Sequence, residues 1–281
     1  MSDPLVTDSV HPTGPAARTL PLTFESAGAT LLGVLHLPAG PGPHPLVVLL
    51  HGFPGNERNF DLAQALRRAG YASLVFHYRG SWGMSGSWSW THVLEDSARA
   101  VAHLSDHATA AHHELDSDRV AVIGHSTGGF AALMTAAANP AIAAVASVAC
   151  FDFGTAAAAC RTNLAVRSAY LEAWADELLP LKGTSAPVLV AEMESAGESW
   201  SLAHLAPQLA DRPVLLIGTG RDDVTPADLH HLPLVEAYRA HPVPSLEHHL
   251  FPTDHSLSDH RVALTRTVIA FLDRHLKATS Q

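Results

Sequence analysis

The chain has 281 residues, of which 47% are hydrophobic and 16% charged, and its formal net charge is -10 with neutral histidines. This length and composition fit a soluble globular protein of one large domain or two small ones. The acidic balance argues against a nucleic-acid partner, because no basic stripe is present to neutralise phosphates. No apolar run approaches the length of a membrane span.

Strand-like and helix-like segments alternate along most of the chain, which predicts an α/β fold with a mostly parallel sheet flanked by helices. Residues 46–50 are a continuous apolar run, typical of a strand buried on both faces. The other predicted strands are 20–24, 30–37, 72–76, 119–123, 141–149, 214–217 and 246–251. Predicted helices are 57–69, 92–107, 127–138 and 259–276, with a further helix start at Thr225 and Pro226.

Two regions depart from this alternation. Residues 1–19 are polar and contain proline, so we expect a flexible N-terminal tail before a single domain over 20–281. Residues 151–211 are rich in alanine with one strand-like run at 187–190, and we interpret them as a small cap or insertion. The tail lacks the apolar segment of a secretory signal, so we expect a cytoplasmic protein.

The strongest chemical signal is the Gly-x-Ser-x-Gly motif at 124–128, placed between a predicted strand and a predicted helix. This context is that of a nucleophile elbow, a sharp turn that presents a serine hydroxyl. The flanking glycines leave no side chain to clash in the turn. We therefore interpret Ser126 as a nucleophile.

A serine hydroxyl needs a neighbouring base, and that base needs an orienting acid. Candidates should follow late strands, in the chain order serine, acid, histidine. His255 follows the strand 246–251 and is the predicted base. Asp222 and Asp223 both follow the strand 214–217, and we favour Asp222 as the acid. His125 adjoins the nucleophile, but we expect its side chain to be directed away from it.

An oxyanion hole requires backbone N–H groups aimed at the developing negative oxygen. Thr127, directly after the nucleophile, is one predicted donor. Phe53 is the other, in the loop after the strand 46–50, because the following Pro54 has no N–H to donate. His51 either braces this loop or ends the buried strand as a polar residue.

At these residues the chain resembles the α/β-hydrolase superfamily. The shared features are His-Gly-Phe-Pro-Gly-Asn at 51–56, the elbow motif, the acid four residues before Pro226 and the late histidine. The runs 78–83 and 254–261 are similar to a bacterial branch described as dienelactone-hydrolase-like, feruloyl-esterase-like or S9-peptidase-like. In that branch the aspartate four residues before the proline is the acid, so the resemblance implies Asp222.

Five tryptophans are candidate pocket residues, because ligand sites are mostly apolar with few polar groups. The alternative is that these indoles only pack inside the fold. They lie in a Gly/Ser/Trp loop and in the expected cap: Trp82, Trp88, Trp90, Trp174 and Trp200.

Paired histidines occur three times, but neighbours in sequence point apart, and no metal-binding motif is present. We therefore predict no metal site and no cofactor. The residues together predict an esterase that takes a small-molecule ester and forms an acyl-enzyme on Ser126. The alternatives are a peptidase or amidase, an acyltransferase or thioesterase, and a non-catalytic binding protein on the same fold; the sequence leaves the oligomeric state open.

Overall fold

The computed structural model describes residues 3–8, 14–241, 243 and 245–277. The strands are β1 Arg18–Ser26, β2 Ala29–Leu37, β3 His44–Leu50, β4 Ala72–Phe76, β5 Leu115–His125, β6 Ala144–Val148, β7 Val214–Thr219 and β8 Leu246–Phe251. Within the described residues they form one sheet in the order β1-β2-β4-β3-β5-β6-β7-β8. The hairpin β1–β2 joins β4 antiparallel, and all neighbours from β4 to β8 are parallel.

Helices cover both faces of this sheet. They are α1 Phe60–Arg68, α2 Trp90–Ser105, α3 His107–His112, α4 Thr127–Ala138, α5 Phe153–Thr162, α6 Leu164–Asp176, α7 Ala186–Ala196, α8 Ala227–His230, α9 Leu232–Ala240 and α10 Arg261–His275. Two 3-10 helices follow α7, at Gly197–Trp200 and Leu202–Leu209. Among the described residues, none of the helices combines the length and apolar character that a membrane crossing requires.

The central strand β3 is buried along its whole length and contributes to two apolar layers. Leu46, Val48 and Leu50 face the layer under α2 and α4, whereas Val47 and Leu49 face the layer under α1 and α10. Successive side chains of a strand point to opposite faces, so both faces need apolar residues when both are covered. The prediction of an α/β fold with a mostly parallel sheet is confirmed.

The strand predicted at 187–190 is wrong, because these residues lie inside α7. Ser185 precedes this helix and Pro187 occupies its first turn, where a proline loses no hydrogen bond. Leu189 and Val190 are buried, so the run is apolar for packing reasons. A short apolar run is compatible with a buried strand or with one buried helix turn.

Part of the predicted tail, residues 1–2 and 9–13, lies outside the described residues. In the described part, Leu5 packs against the layer under α1 and α10, and the Asp3 carboxylate lies 3.1 Å from the Arg266 guanidinium. The flexibility expected of residues 1–19 stays a prediction.

The region predicted as a cap contains α5, α6, α7 and the two 3-10 helices, between β6 and β7. Its residues 180–182 pair with the tryptophan loop through backbone bonds: the N–H of Trp82 donates to Pro180 (2.8 Å) and that of Trp88 to Lys182 (2.9 Å). The Glu192 carboxylate accepts from the N–H groups of Trp90 (3.0 Å) and Thr91 (2.7 Å) at the start of α2. The inserted helices are therefore fastened beside the tryptophan loop.

Candidate active site

Ser126 lies at the turn between β5 and α4 with φ 58°, a region that strains any residue except glycine. The flanking glycines permit this turn. A Cβ on Gly124 would lie 1.8 Å from the carbonyl oxygen of Gly128, and a Cβ on Gly128 would lie 2.0 Å from that of Leu50. The Ser126 N–H donates to the carbonyl of Val148 on β6 at 2.9 Å. The turn is thus held between β3 and β6, the two strands that flank β5 in the sheet.

His255 and Asp222 form a hydrogen-bonded pair beyond the ends of β8 and β7. His255 Nδ1 lies 2.8 Å from Asp222 Oδ2, so the neutral imidazole carries its proton on Nδ1 and leaves Nε2 free to accept one. The Asp222 side chain is fully buried. It also accepts from the Thr219 hydroxyl (2.6 Å), and from the N–H groups of Val224 (2.8 Å) and Thr225 (2.9 Å).

These donors control the ionisation of Asp222. Burial by itself raises the pKa of a carboxyl group. The hydrogen bonds from His255, Thr219 and Thr225 outweigh burial and hold the pKa of Asp222 well below its usual range. The neighbouring Asp223 is exposed and has no hydrogen-bond or ion-pair partner among the described residues. The structure therefore brings Asp222, and not Asp223, to the imidazole.

A cavity of about 440 Å³ opens beside this pair, and Ser126 and His255 both line it. Phe53 and Thr127 line it too, and the backbone N–H groups of these two residues have no acceptor among the described residues. A Cβ on Gly52 would lie 2.8 Å from Ser126 Cβ, so the loop of Phe53 passes directly by the serine. The lining of this cavity therefore includes a hydroxyl, an imidazole and two backbone N–H groups that have no acceptor among the described residues.

Within the described part of the chain, no three His, Cys, Asp or Glu side chains converge in a way that could hold a metal ion. Cys150 and Cys160 are buried free thiols.

Residues 45–193 match the family model described as "alpha/beta hydrolase fold", which is more than half of the chain. The chain belongs to the α/β-hydrolase family. The matched range includes the loop of Phe53 and the elbow of Ser126, but ends before Asp222 and His255.

The curated relatives with which the chain aligns are longer proteins. It is 30% identical over 111 residues to 2,6-dihydropseudooxynicotine hydrolase of Paenarthrobacter nicotinovorans, covering 39% of this chain and 29% of that one. It is 35% identical over 145 residues to Hydrolase LUC6 of Fusarium sp, covering 47% and 33%. The aligned segments thus span about a third of these relatives.

Solved structures share the hydrolase fold over nearly the whole chain. The Pyrococcus furiosus esterase Pf2001 has a TM-score of 0.67 at 16% identity, with coverage of 96% of this chain and 98% of that one. Est1E from Butyrivibrio proteoclasticus has a TM-score of 0.67 at 18% identity, with coverage of 90% and 98%. The acylaminoacyl peptidase of Pyrococcus horikoshii has a TM-score of 0.69 at 17% identity, with coverage of 95% and 43%. At such identities these likenesses establish the fold alone.

Of the five tryptophans predicted for the pocket, Trp90 and Trp174 line the cavity of this hydrolase fold. The other three do not. Trp82 Nε1 donates to the carbonyl of Pro54 at 2.8 Å and so braces the loop of Phe53. Trp88 is buried against Tyr78 and Phe53, and Trp200 packs on Phe130 and Phe153. The sequence does not reveal which of these rings face the cavity, because the direction of each side chain depends on the local path of the backbone.

Three aromatic residues that line the cavity were not predicted. Phe151 and Phe153 follow the carboxyl end of β6, the edge where sites form in open α/β sheets, and this position was an available signal. Tyr170 lies on α6, and no sequence pattern indicated it.

His125 holds the backbone of the candidate base. Its Nε2 lies 2.7 Å from the carbonyl oxygen of His255, which can only accept, so Nε2 carries the proton. Burial and the nearby His255 lower the pKa of His125 to about 3, which keeps it neutral. Arg261 holds the same loop from the other side, donating to the carbonyl of Ser256 (3.1 Å) and to the carboxylate of Asp61 on α1 (2.8 Å).

His51 lies at the start of the loop of Phe53. Its Nδ1 is 2.8 Å from the carbonyl oxygen of Gly52, and the Tyr78 hydroxyl donates to the His51 carbonyl at 3.2 Å. Burial lowers the pKa of His51 to about 3. Both contacts are those of a residue that braces the loop.

We expect His125→Phe, which removes the donor to His255 but keeps a ring, to lower kcat by about tenfold to a hundredfold, because small displacements of a catalytic group are costly. His125→Gln places an amide donor near the same carbonyl and should retain more of the rate. Steady-state kinetics on an ester, with melting temperatures measured alongside, test this. Equal kcat losses in both variants would contradict a positioning role.

The lowered pKa of Asp222 predicts a pH dependence of stability. Ionised Asp222 stabilises the fold fully above the unfolded-chain pKa of 3.8, and this contribution is lost as pH falls towards the lower folded pKa. Over the range from neutral to acid pH, the stability advantage of the wild type over Asp222→Asn should therefore begin to shrink below about pH 4. Chemical denaturation of both proteins across this range measures it. An advantage that keeps growing as the pH falls below about 4 would contradict the assignment.

Proposed function

We propose that this chain hydrolyses carboxylic esters through an acyl-enzyme on Ser126, with His255 as base and Asp222 as orienting acid. One observation carries the proposal: Ser126, in a strained turn, and His255, hydrogen-bonded at Nδ1 to Asp222, line the same cavity. Belonging to the α/β-hydrolase family supports a hydrolytic reaction.

In the first half-reaction, Ser126 Oγ attacks the ester carbonyl while His255 Nε2 takes the hydroxyl proton. The imidazolium that forms is stabilised by the Asp222 carboxylate. The negative charge on the carbonyl oxygen is bound by the N–H groups of Phe53 and Thr127, which have no other acceptor in the part of the chain that the structure describes. His255 then returns its proton to the departing alcohol oxygen as the bond from carbon to that oxygen breaks.

In the second half-reaction, a water molecule takes the place of the alcohol. His255 Nε2 removes one water proton as the oxygen attacks the acyl carbon. Collapse of this second intermediate breaks the bond to Ser126 Oγ, and His255 returns the proton to the serine. The products are the carboxylic acid and the free enzyme.

The cavity suits small esters. Its volume of about 440 Å³ lies in the usual range for small-molecule sites, and much of its wall is aromatic. Because each buried methylene adds only about 1 kcal/mol, selectivity among esters of different length should be graded.

We expect Ser126→Ala to abolish labelling by a fluorophosphonate probe and to lower ester turnover by several orders of magnitude, since it removes the nucleophile. Ser168→Ala, an exposed serine on α6 that does not line the cavity, is the matched control and should behave as the wild type. Labelling that persists in Ser126→Ala would place the nucleophile elsewhere.

Kinetics on matched substrates separate ester hydrolysis from the alternative functions. An ester and an anilide that carry the same acyl group should differ strongly in kcat/KM, with the higher value for the ester. A faster anilide would indicate a peptidase or amidase. Acyl transfer to an added alcohol or thiol in preference to water would indicate an acyltransferase. Folded protein without labelling or turnover would indicate a binding protein.

A further inference from the structure

The inner wall of the cavity is a continuous set of aromatic rings. Trp174 is central: its ring centroid lies 5.0 Å from that of Trp90, 5.3 Å from Tyr170 and 6.2 Å from both Phe53 and Phe151. All of these side chains line the cavity. Such walls favour apolar groups, and their ring faces also attract cations that approach within about 6 Å.

The charged side chains that line the cavity have one sign. They are Glu57, Glu177 and Asp223, and no Lys or Arg of the described residues lines it. Glu177 and Asp223 are exposed, so they lie at its mouth, and neither side-chain carboxylate has a hydrogen-bond or ion-pair partner among the described residues. Glu57 is partly satisfied, since it accepts from the Asn59 N–H at 2.5 Å and lies 4.0 Å from the Arg261 guanidinium.

We infer that the substrate of this cavity is a cationic ester. Either the acyl or the alcohol part of this ester is an apolar group that carries a protonated or quaternary amine, and the cavity binds that part. The inference rests on the proposed ester hydrolysis at Ser126 and specifies its substrate class. The aromatic wall receives the alkyl groups around the nitrogen, while Glu177 and Asp223 attract the positive charge from the mouth. The same carboxylates repel esters that carry a free carboxylate.

Neutral esters are the decisive comparison, because aromatic walls alone would accept any apolar group of suitable size. A quaternary ammonium and the isostere with carbon in place of nitrogen have nearly the same shape. A difference between them therefore reports charge recognition and not fit.

The test compares butyrylcholine with the butyrate ester of the uncharged alcohol in which carbon replaces the nitrogen of choline. A second pair carries the charge on the acyl side: phenyl trimethylammonio-butyrate and its carbon isostere. For at least one pair, kcat/KM should favour the cation by about tenfold at low ionic strength, and the preference should decline as added salt screens the carboxylates. Ethyl hydrogen succinate should be the poorest substrate.

Variants assign the preference to residues. Glu177→Gln combined with Asp223→Asn should reduce the cation preference several-fold, and Trp174→Leu should also reduce it. The matched control combines Glu172→Gln with Asp228→Asn, exposed carboxylates on α6 and α8 that do not line the cavity, and it should keep the wild-type preference.

Binding is measured separately on Ser126→Ala, through tryptophan fluorescence, so that recognition is tested without turnover. Tighter binding of the cationic esters supports the inference even if no hydrolysis occurs. In that case only the proposed ester hydrolysis at Ser126 fails. Equal kcat/KM and equal Kd within both pairs overturn the inference even if all four esters are hydrolysed.

Discussion

The backbone contact between the elbow and β3 is the constraint on which the rest of the site depends. Gly128 passes so close to the carbonyl of Leu50 that no side chain fits between them. Leu50 ends β3, and the loop of Phe53 begins at the next residue. The same contact that positions Ser126 therefore also sets where this loop runs beside it. A loop that approached less closely could not bring its N–H groups to a carbonyl bound at the serine.

The candidate base is held mainly through its backbone. His255 follows β8, but the carbonyls of His255 and Ser256 are bound by His125 and Arg261, whose side chains come from the elbow and from α10. The imidazole itself meets Asp222, which is buried among donors that favour its charged form. The elbow and the base loop are thus connected by a hydrogen bond and not only by the sheet.

Several buried or half-buried histidines of this protein stay uncharged because burial disfavours their protonated form. Burial lowers the pKa of His125 and His51 to about 3, and that of His77, His230 and His231 to about 4. These rings do not gain a proton at mildly acid pH. The twenty histidines of the sequence therefore overstate how many groups titrate near neutrality.

Local patterns in the sequence were sufficient for the sheet and for the elbow. A strand buried on both faces must be apolar throughout, which explains the pattern at 46–50. A turn with a close backbone contact on each side of its serine requires glycines at those positions, which explains the pattern at 124–128. The choice between Asp222 and Asp223 was not readable from residue type, since adjacent carboxylates differ only in the direction that the turn after β7 imposes.

Only the tertiary structure decided which side chains face the cavity. Trp88 and Trp90 are two residues apart, yet one packs in the core and the other also lines the cavity. Tyr170 and Trp174 reach it from α6, a helix whose place depends on contacts with distant loops. Sequence patterns record the burial and backbone geometry of neighbouring residues. A cavity is formed by segments that are far apart in the chain, and its lining has no sequence period to read.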